Sequence, residues 1–209
     1  MVQGCPHGCG SVQSKTSKTA EAEALDQQLR AATSHGFQLP ILANCAILAI
    51  PVNPFSPIAS DLGRTVAQAI ARLRELDNAD TSTRPSENKW AKKEILGHLL
   101  DSASNNHQRF VRAALQGRLT FPGYDQNALV DLAHYAEIDW HFLVDFWATY
   151  NRFLAHLINN LPAEVARVPC NIGDNAPATL EWIAGDYVAH LKHHLNQILG
   201  QTFPTDYGK

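Results

Sequence analysis

Four stretches of this chain place an apolar residue at every third or fourth position, a period that only helices burying one stripe each can satisfy. The plainest is Leu143, Trp147, Tyr150, Leu154, Leu157 and Leu161, stopped by Pro162. An earlier one runs through Ile58, Leu62, Val66, Ile70, Leu73 and Leu76, with Ser56 as its expected cap and Pro57 at its first position. A helix expected from Trp90 to Gln116, closed by Gly117, carries Ala91, Ile95, Leu99, Ser102, Asn106, Phe110 and Ala113, an unusually polar stripe. The last stripe is Leu180, Ile183, Tyr187, His190, Leu191, His194 and Ile198, capped by Thr179 and ended by Gly200 and Pro204. No stretch shows the two-residue alternation of a strand. The expectation is an all-α chain whose residues 53–200 form an antiparallel four-helix bundle.

Outside the bundle, residues 1–52 read as an N-terminal extension with one possible helix from Ala20 to Ala32, and residues 201–209 as a C-terminal tail. At 45% hydrophobic, 18% charged and a net charge of −3 without long like-sign runs, the composition gives no footing for nucleic acid. The apolar run Ile41 to Val52 is broken by Asn44 and falls short of the ~20 residues a membrane span needs. It leads into Pro51 and Pro54 rather than a small-residue cleavage site, so a cytoplasmic protein with no membrane partner is expected. Cys5, Cys9, Cys45 and Cys170 are too irregular for a disulfide framework, and the Cys5, His7, Cys9 cluster lacks a second ligand pair at zinc-finger spacing.

The histidines carry the chemistry. Residues four apart on a helix lie about 40° apart around its axis, so His190 and His194 share a face, with Cβ atoms about 5–6 Å apart. They sit on the apolar seam of their helix, and His98 lies about 60° from Ile95 and about 40° from Ser102 on the inward stripe of another. A lone buried histidine is ordinarily a hydrogen-bonded core residue. Three in one core would each strand a nitrogen at a cost of about 1–3 kcal/mol, which a bound metal ion removes. His107 falls about 180° from His98, and His141 and His156 fall on the outer face of their helix. His134 lies in a connection, and His193 flanks the pair without being expected as a ligand.

Leu191, Lys192 and His193 stand between the paired histidines, so no H-E-x-x-H protease motif is present. Too few carboxylates face inward for a di-iron site, leaving one mononuclear divalent metal on His98, His190 and His194 with an open position for water or a small-molecule substrate. All-imidazole ligation suits Zn, Ni, Cu or Fe. Around it, Asp101, Asn105, Arg109 and Asp186 are the candidate catalytic residues, joined on the polar lane by Ser102 and Gln197. Asn105 and Arg109 lie about 20° from His98, and Arg109 suits an anionic group of a substrate or cofactor. Asp101 and Asp186 suit proton transfer or the orientation of an imidazole.

The run Lys89-Trp90-Ala91-Lys92-Lys93-Glu94-Ile95-Leu96-Gly97-His98-Leu99-Leu100-Asp101-Ser102, together with Asp186 to Ile198, resembles the DinB/YfiT-like superfamily. Phe121-Pro122-Gly123-Tyr124-Asp125-Gln126 is similar to the connection that follows its second helix. The resemblance spans about Asn53 to Gly200. It implies a four-helix bundle, often a homodimer, with zinc or nickel on histidines that match His98, His190 and His194. It also implies one of two activities. One is a thiol S-transferase, with Asn105 or Arg109 holding a low-molecular-weight thiol; the other is a hydrolase, with Asp101 or Asp186 as proton acceptor. A metal-binding stress protein without turnover is the alternative.

Overall fold

A computed structural model describes residues 53–207. The expected extension over residues 1–52, with its helix at Ala20 to Ala32 and its Cys5, His7, Cys9 cluster, lies outside the described residues. Four long helices dominate: α1 (Phe55–Arg74), α3 (Lys92–Gln116), α5 (Trp140–Asn159) and α6 (Leu180–Leu199). Two short ones, α2 (Asn78–Ser82) and α4 (Gln126–Ala133), fill connections. α1 packs on α5 and α6, and α3 packs on the same two, so the four close a ring around one core. Leu62, Leu73, Leu99, Trp147, Leu154 and Leu191 are all fully buried there.

Boundaries differ from the sequence reading for local reasons. Helix α1 begins at Phe55 instead of being capped by Ser56, because the Asn53 side chain accepts from the Phe55 N–H. Helix α3 starts at Lys92 rather than Trp90, and the Glu94 carboxylate reaches back to the Ala91 N–H at 2.7 Å. Burial alone would raise the Glu94 pKa. Its bonds to Arg84 and Ala91 overcome that and hold it below the usual carboxylate range. Gly117 ends α3 at φ +68°, and Asp139 caps α5 by accepting from Phe142 N–H. Thr179 caps α6 as expected.

The unexpected element is a small sheet. β1 (Leu119–Phe121) runs parallel to β2 (Pro169–Ile172), which pairs antiparallel with β3 (Ala178–Thr179). Strands of two to four residues are too short to display an alternating pattern, and their pairing joins segments distant in sequence. The loops beyond them meet backbone to backbone. Gly173, at φ +53°, donates its N–H to Phe121 O at 2.9 Å, and a Cβ there would lie 3.2 Å from Gly123 N. This contact fixes the turn that carries Tyr124. In the C-terminal tail, residues 201–207 are described, and Phe203 is 4% exposed and belongs to the core.

Candidate metal centre

Helices α3 and α6 pack together and bring His98, His190 and His194 into one cluster whose ligand atoms all lie within 4.8 Å of one another. His98 is 1% exposed, and His190 and His194 are half-buried. The Nε2 atoms of His98 and His190 face each other at 3.1 Å. Two imidazoles sharing a tetrahedral ion at 2.0–2.1 Å each would hold their nitrogens about 3.3 Å apart.

Protonation supports the same fit. Burial pushes the His98 pKa down to about 4, with the His194 charge adding to it. Burial and then the neighbouring imidazoles lower His190 as well. His194 is lowered by burial against an opposing hydrogen bond from Gln197. All three rings are therefore neutral at pH 7, each with one lone pair to give and one N–H, which is the state in which imidazoles bind a divalent cation.

The outer nitrogens decide which lone pair is free. Gln197 Oε1 lies 2.8 Å from His194 Nδ1; a carbonyl oxygen only accepts, so Nδ1 carries the proton and Nε2 is left for a ligand bond. The Gln197 amide reaches His193 Nε2 at 3.1 Å, so His193 supports the cluster from its flank. Ser102 Oγ stands 3.5 Å from His190 Nδ1. The His98 Nδ1 is buried without a partner among the described residues, and its ring lies against Trp90 at 5.0 Å.

The other candidates scatter. Arg109 faces a cleft of about 820 Å³ that Cys170, Trp182, Asp186 and Tyr207 also line. Its Nε is buried without a hydrogen-bond partner among the described residues, and its guanidinium lies over the rings of Phe121 and Tyr124 at 5.6 and 6.0 Å. Burial raises the Asp186 pKa, with Arg109 pulling the other way. Asn105 donates to the Asp101 backbone oxygen of its own helix at 2.9 Å. Asp101 points elsewhere. It accepts from the Tyr135 hydroxyl at 2.7 Å and lines a separate aromatic hollow with Phe142, Phe146 and Tyr150; its Oδ2 is buried and has no partner among the described residues. The Asp101 pKa is raised by burial, which the Tyr135 bond partly offsets.

His107 is turned from the cluster, as its angle required, and its ring packs on Tyr150 and Phe153. His134, His141 and His156 are exposed. Two tyrosines escaped the sequence reading. Tyr124 is carried in by the Gly123 turn; burial raises its pKa against the pull of Arg109 and a hydrogen bond to Ser102. Tyr207 sets its ring 5.1 Å from that of His190. Neither lies on a helical stripe, so period could not find them.

Comparison with known proteins agrees with this architecture. The chain is similar to a solved structure of YfiT from Bacillus subtilis, described as a probable metal-dependent hydrolase with an unusual four-helix bundle topology. The TM-score is 0.59 at 20% identity, over 69% of this chain and 81% of that one. A comparison with curated proteins finds no match. The sequence profile of the DinB superfamily matches residues 61–198, from within α1 to the last turn of α6 and across all three clustered histidines, and the chain belongs to that superfamily.

Proposed function

We propose that this protein is a metal-dependent enzyme with one divalent ion on His98, His190 and His194, acting on a small molecule that bears an anionic group. The observation that carries this is the pair of facing Nε2 atoms, 3.1 Å apart, on rings that burial keeps neutral. When bound, the ion supplies an open coordination position at which the pKa of a water or thiol falls. Zinc and nickel fit an all-imidazole set.

The chain's own residues supply the rest. Arg109 binds the substrate anion: its guanidinium lies over the aromatic faces of Phe121 and Tyr124, and the residue lines the cleft. Asp186, in the same cleft, takes the proton released by the attacking nucleophile, and burial raises its pKa toward that task. Gln197 and Ser102 orient the imidazoles. Asp101, tied to Tyr135, acts on the frame behind α3 rather than on substrate. Hydrolysis is the first reading, supported by the description of YfiT. Thiol transfer is the second, supported by a cleft with room for a thiol cofactor beside Arg109.

The test is metal analysis of the wild type and the His98→Ala, His194→Ala variant. Ester, amide and thiol-transfer substrates with and without a carboxylate are assayed alongside. About one metal per chain is expected in the wild type and none in the double variant. Unchanged metal content in the variant overturns the ligand assignment, and bound metal without turnover on any substrate leaves a metal-binding protein that is not an enzyme.

A further inference from the structure

Residues 201–207 follow the segment that matches the superfamily profile, and the sequence reading assigned them no task. Their anchoring is nonetheless built. Asn196, 7% exposed, donates from its side chain to Phe203 O at 2.8 Å and accepts from the N–H groups of Thr202 and Phe203 at 2.9 and 2.8 Å. A buried amide with three bonds to one segment fixes that segment's path. Arg72 adds bonds to Thr202 Oγ1 and Leu199 O, and the Thr205 hydroxyl donates to Ala189 O at 3.1 Å. The Tyr207 N–H then closes on Thr205 Oγ1 at 3.2 Å.

The path ends at the metal centre. The Tyr207 ring meets His190 edge-on at 5.1 Å and 76°, and lies 5.6 Å from His193. Tyr207 lines the cleft that holds Arg109 and Asp186, and also a hollow of about 730 Å³ bounded by Lys192 and Pro204. A side chain that lines the cleft and lies against a clustered imidazole is placed to act as a wall. We propose that residues 201–207 are part of the active site, strapping Tyr207 against His190 as the wall on which the apolar body of an anionic substrate held by Arg109 packs. This rests on the metal-dependent reading above and adds a residue beyond the superfamily segment. An aromatic face meeting a flat substrate favours offset or edge contacts at these ring separations, with the anionic end of the substrate left to the guanidinium.

The experiment uses the full chain loaded with cobalt(II), whose visible absorption reports the open position. It is titrated with azide and with benzoate, in the wild type and in Tyr207→Ala, Tyr207→Phe and Arg109→Gln. Azide needs only the metal; benzoate needs the wall and the guanidinium as well. Azide affinity is expected to stay within about twofold of wild type in both Tyr207 variants, which also reports that the centre is intact. Benzoate is expected to bind about tenfold more weakly to Tyr207→Ala and to Arg109→Gln, and normally to Tyr207→Phe. Equal benzoate affinity in wild type and Tyr207→Ala overturns the wall. So does a loss in Tyr207→Phe as large as in Tyr207→Ala, because the ring would then not be the agent. Cobalt that binds but answers to neither anion removes the open position, and the wall with it; cobalt that does not bind at all refutes the metal centre itself.

Discussion

Gly97 precedes His98 on α3, and a methyl group there is expected to be costly. A Cβ at this position would lie 2.2 Å from Cγ and Cδ2 of Tyr135 and 2.6 Å from Cδ1. Restoring ordinary contact near 3.4 Å requires the ring to retreat by about 1.2 Å. The Tyr135 hydroxyl donates to Asp101 Oδ1 at 2.7 Å, and the same retreat carries it out of hydrogen-bond range. Overpacking costs about 1–3 kcal/mol. Losing a hydrogen bond to a carboxylate whose other oxygen is already unpartnered costs about 1.5–3 kcal/mol. Replacing glycine inside a helix returns about 1 kcal/mol. The net loss for Gly97→Ala is about 1.5–5 kcal/mol, and with a urea slope near 2 kcal/mol/M the midpoint falls by about 0.8–2.5 M. Urea denaturation followed by circular dichroism measures this, with Tyr135→Ala as the second background. There the ring atoms nearest the methyl group are gone, and Gly97→Ala is expected to be neutral or to stabilise by up to about 1 kcal/mol. A midpoint for Gly97→Ala in the wild-type background that equals or exceeds that of the parent would show that the Tyr135 ring yields to the methyl group without cost.

Two further predictions concern the centre. Gln197→Leu removes the acceptor that fixes the His194 proton on Nδ1, and metal affinity is expected to fall about 10- to 100-fold by competition with a chelator. Because Gln197 is exposed, the urea midpoint of the metal-free protein should not move. The second concerns acid. The folded pKa of His98 is about 4, below its ordinary 6.5, so the unfolded chain binds the extra proton across that window. Stability of the metal-free protein should therefore be intact above pH 6.5 and decline as pH falls toward 4, by about 3 kcal/mol from His98 alone. His98→Phe is expected to flatten this decline in a series of denaturation curves from pH 7 to 4, and an unchanged slope would remove His98 as its source.

Helical period alone found the four long helices, because each buries one stripe and a stripe is visible in a single sequence. It also found the three histidines, since Ile95 and Ser102 flank His98, and Leu191 lies between His190 and His194. Angle gives a face and not a rotamer, and Asp101 shows the difference. About 60° from His98, it could turn toward the cluster or away, and the Tyr135 hydroxyl turns it away. Tyr124, Tyr207 and the sheet were illegible for another reason. Each is placed by partners outside its own segment: Phe121 pairs with Ile172, and Phe203 hangs on Asn196 of α6. Short segments ordered by such contacts carry no period of their own. The start of α3 fell two residues later than expected because the Glu94 carboxylate, through its reach back to Ala91, outweighs the apolar signal of Trp90.

The meeting of Gly123 and Gly173 has an evolutionary consequence. Two loops joined through main-chain atoms, with no side chain in the joint, hold their shape whatever residues stand beside them. Neighbouring positions such as Tyr124 and Asn175 can then be exchanged without shifting the frame that presents them. A lineage built on this scaffold is free to retarget its chemistry by point changes at the rim while the imidazole cluster beneath stays constant.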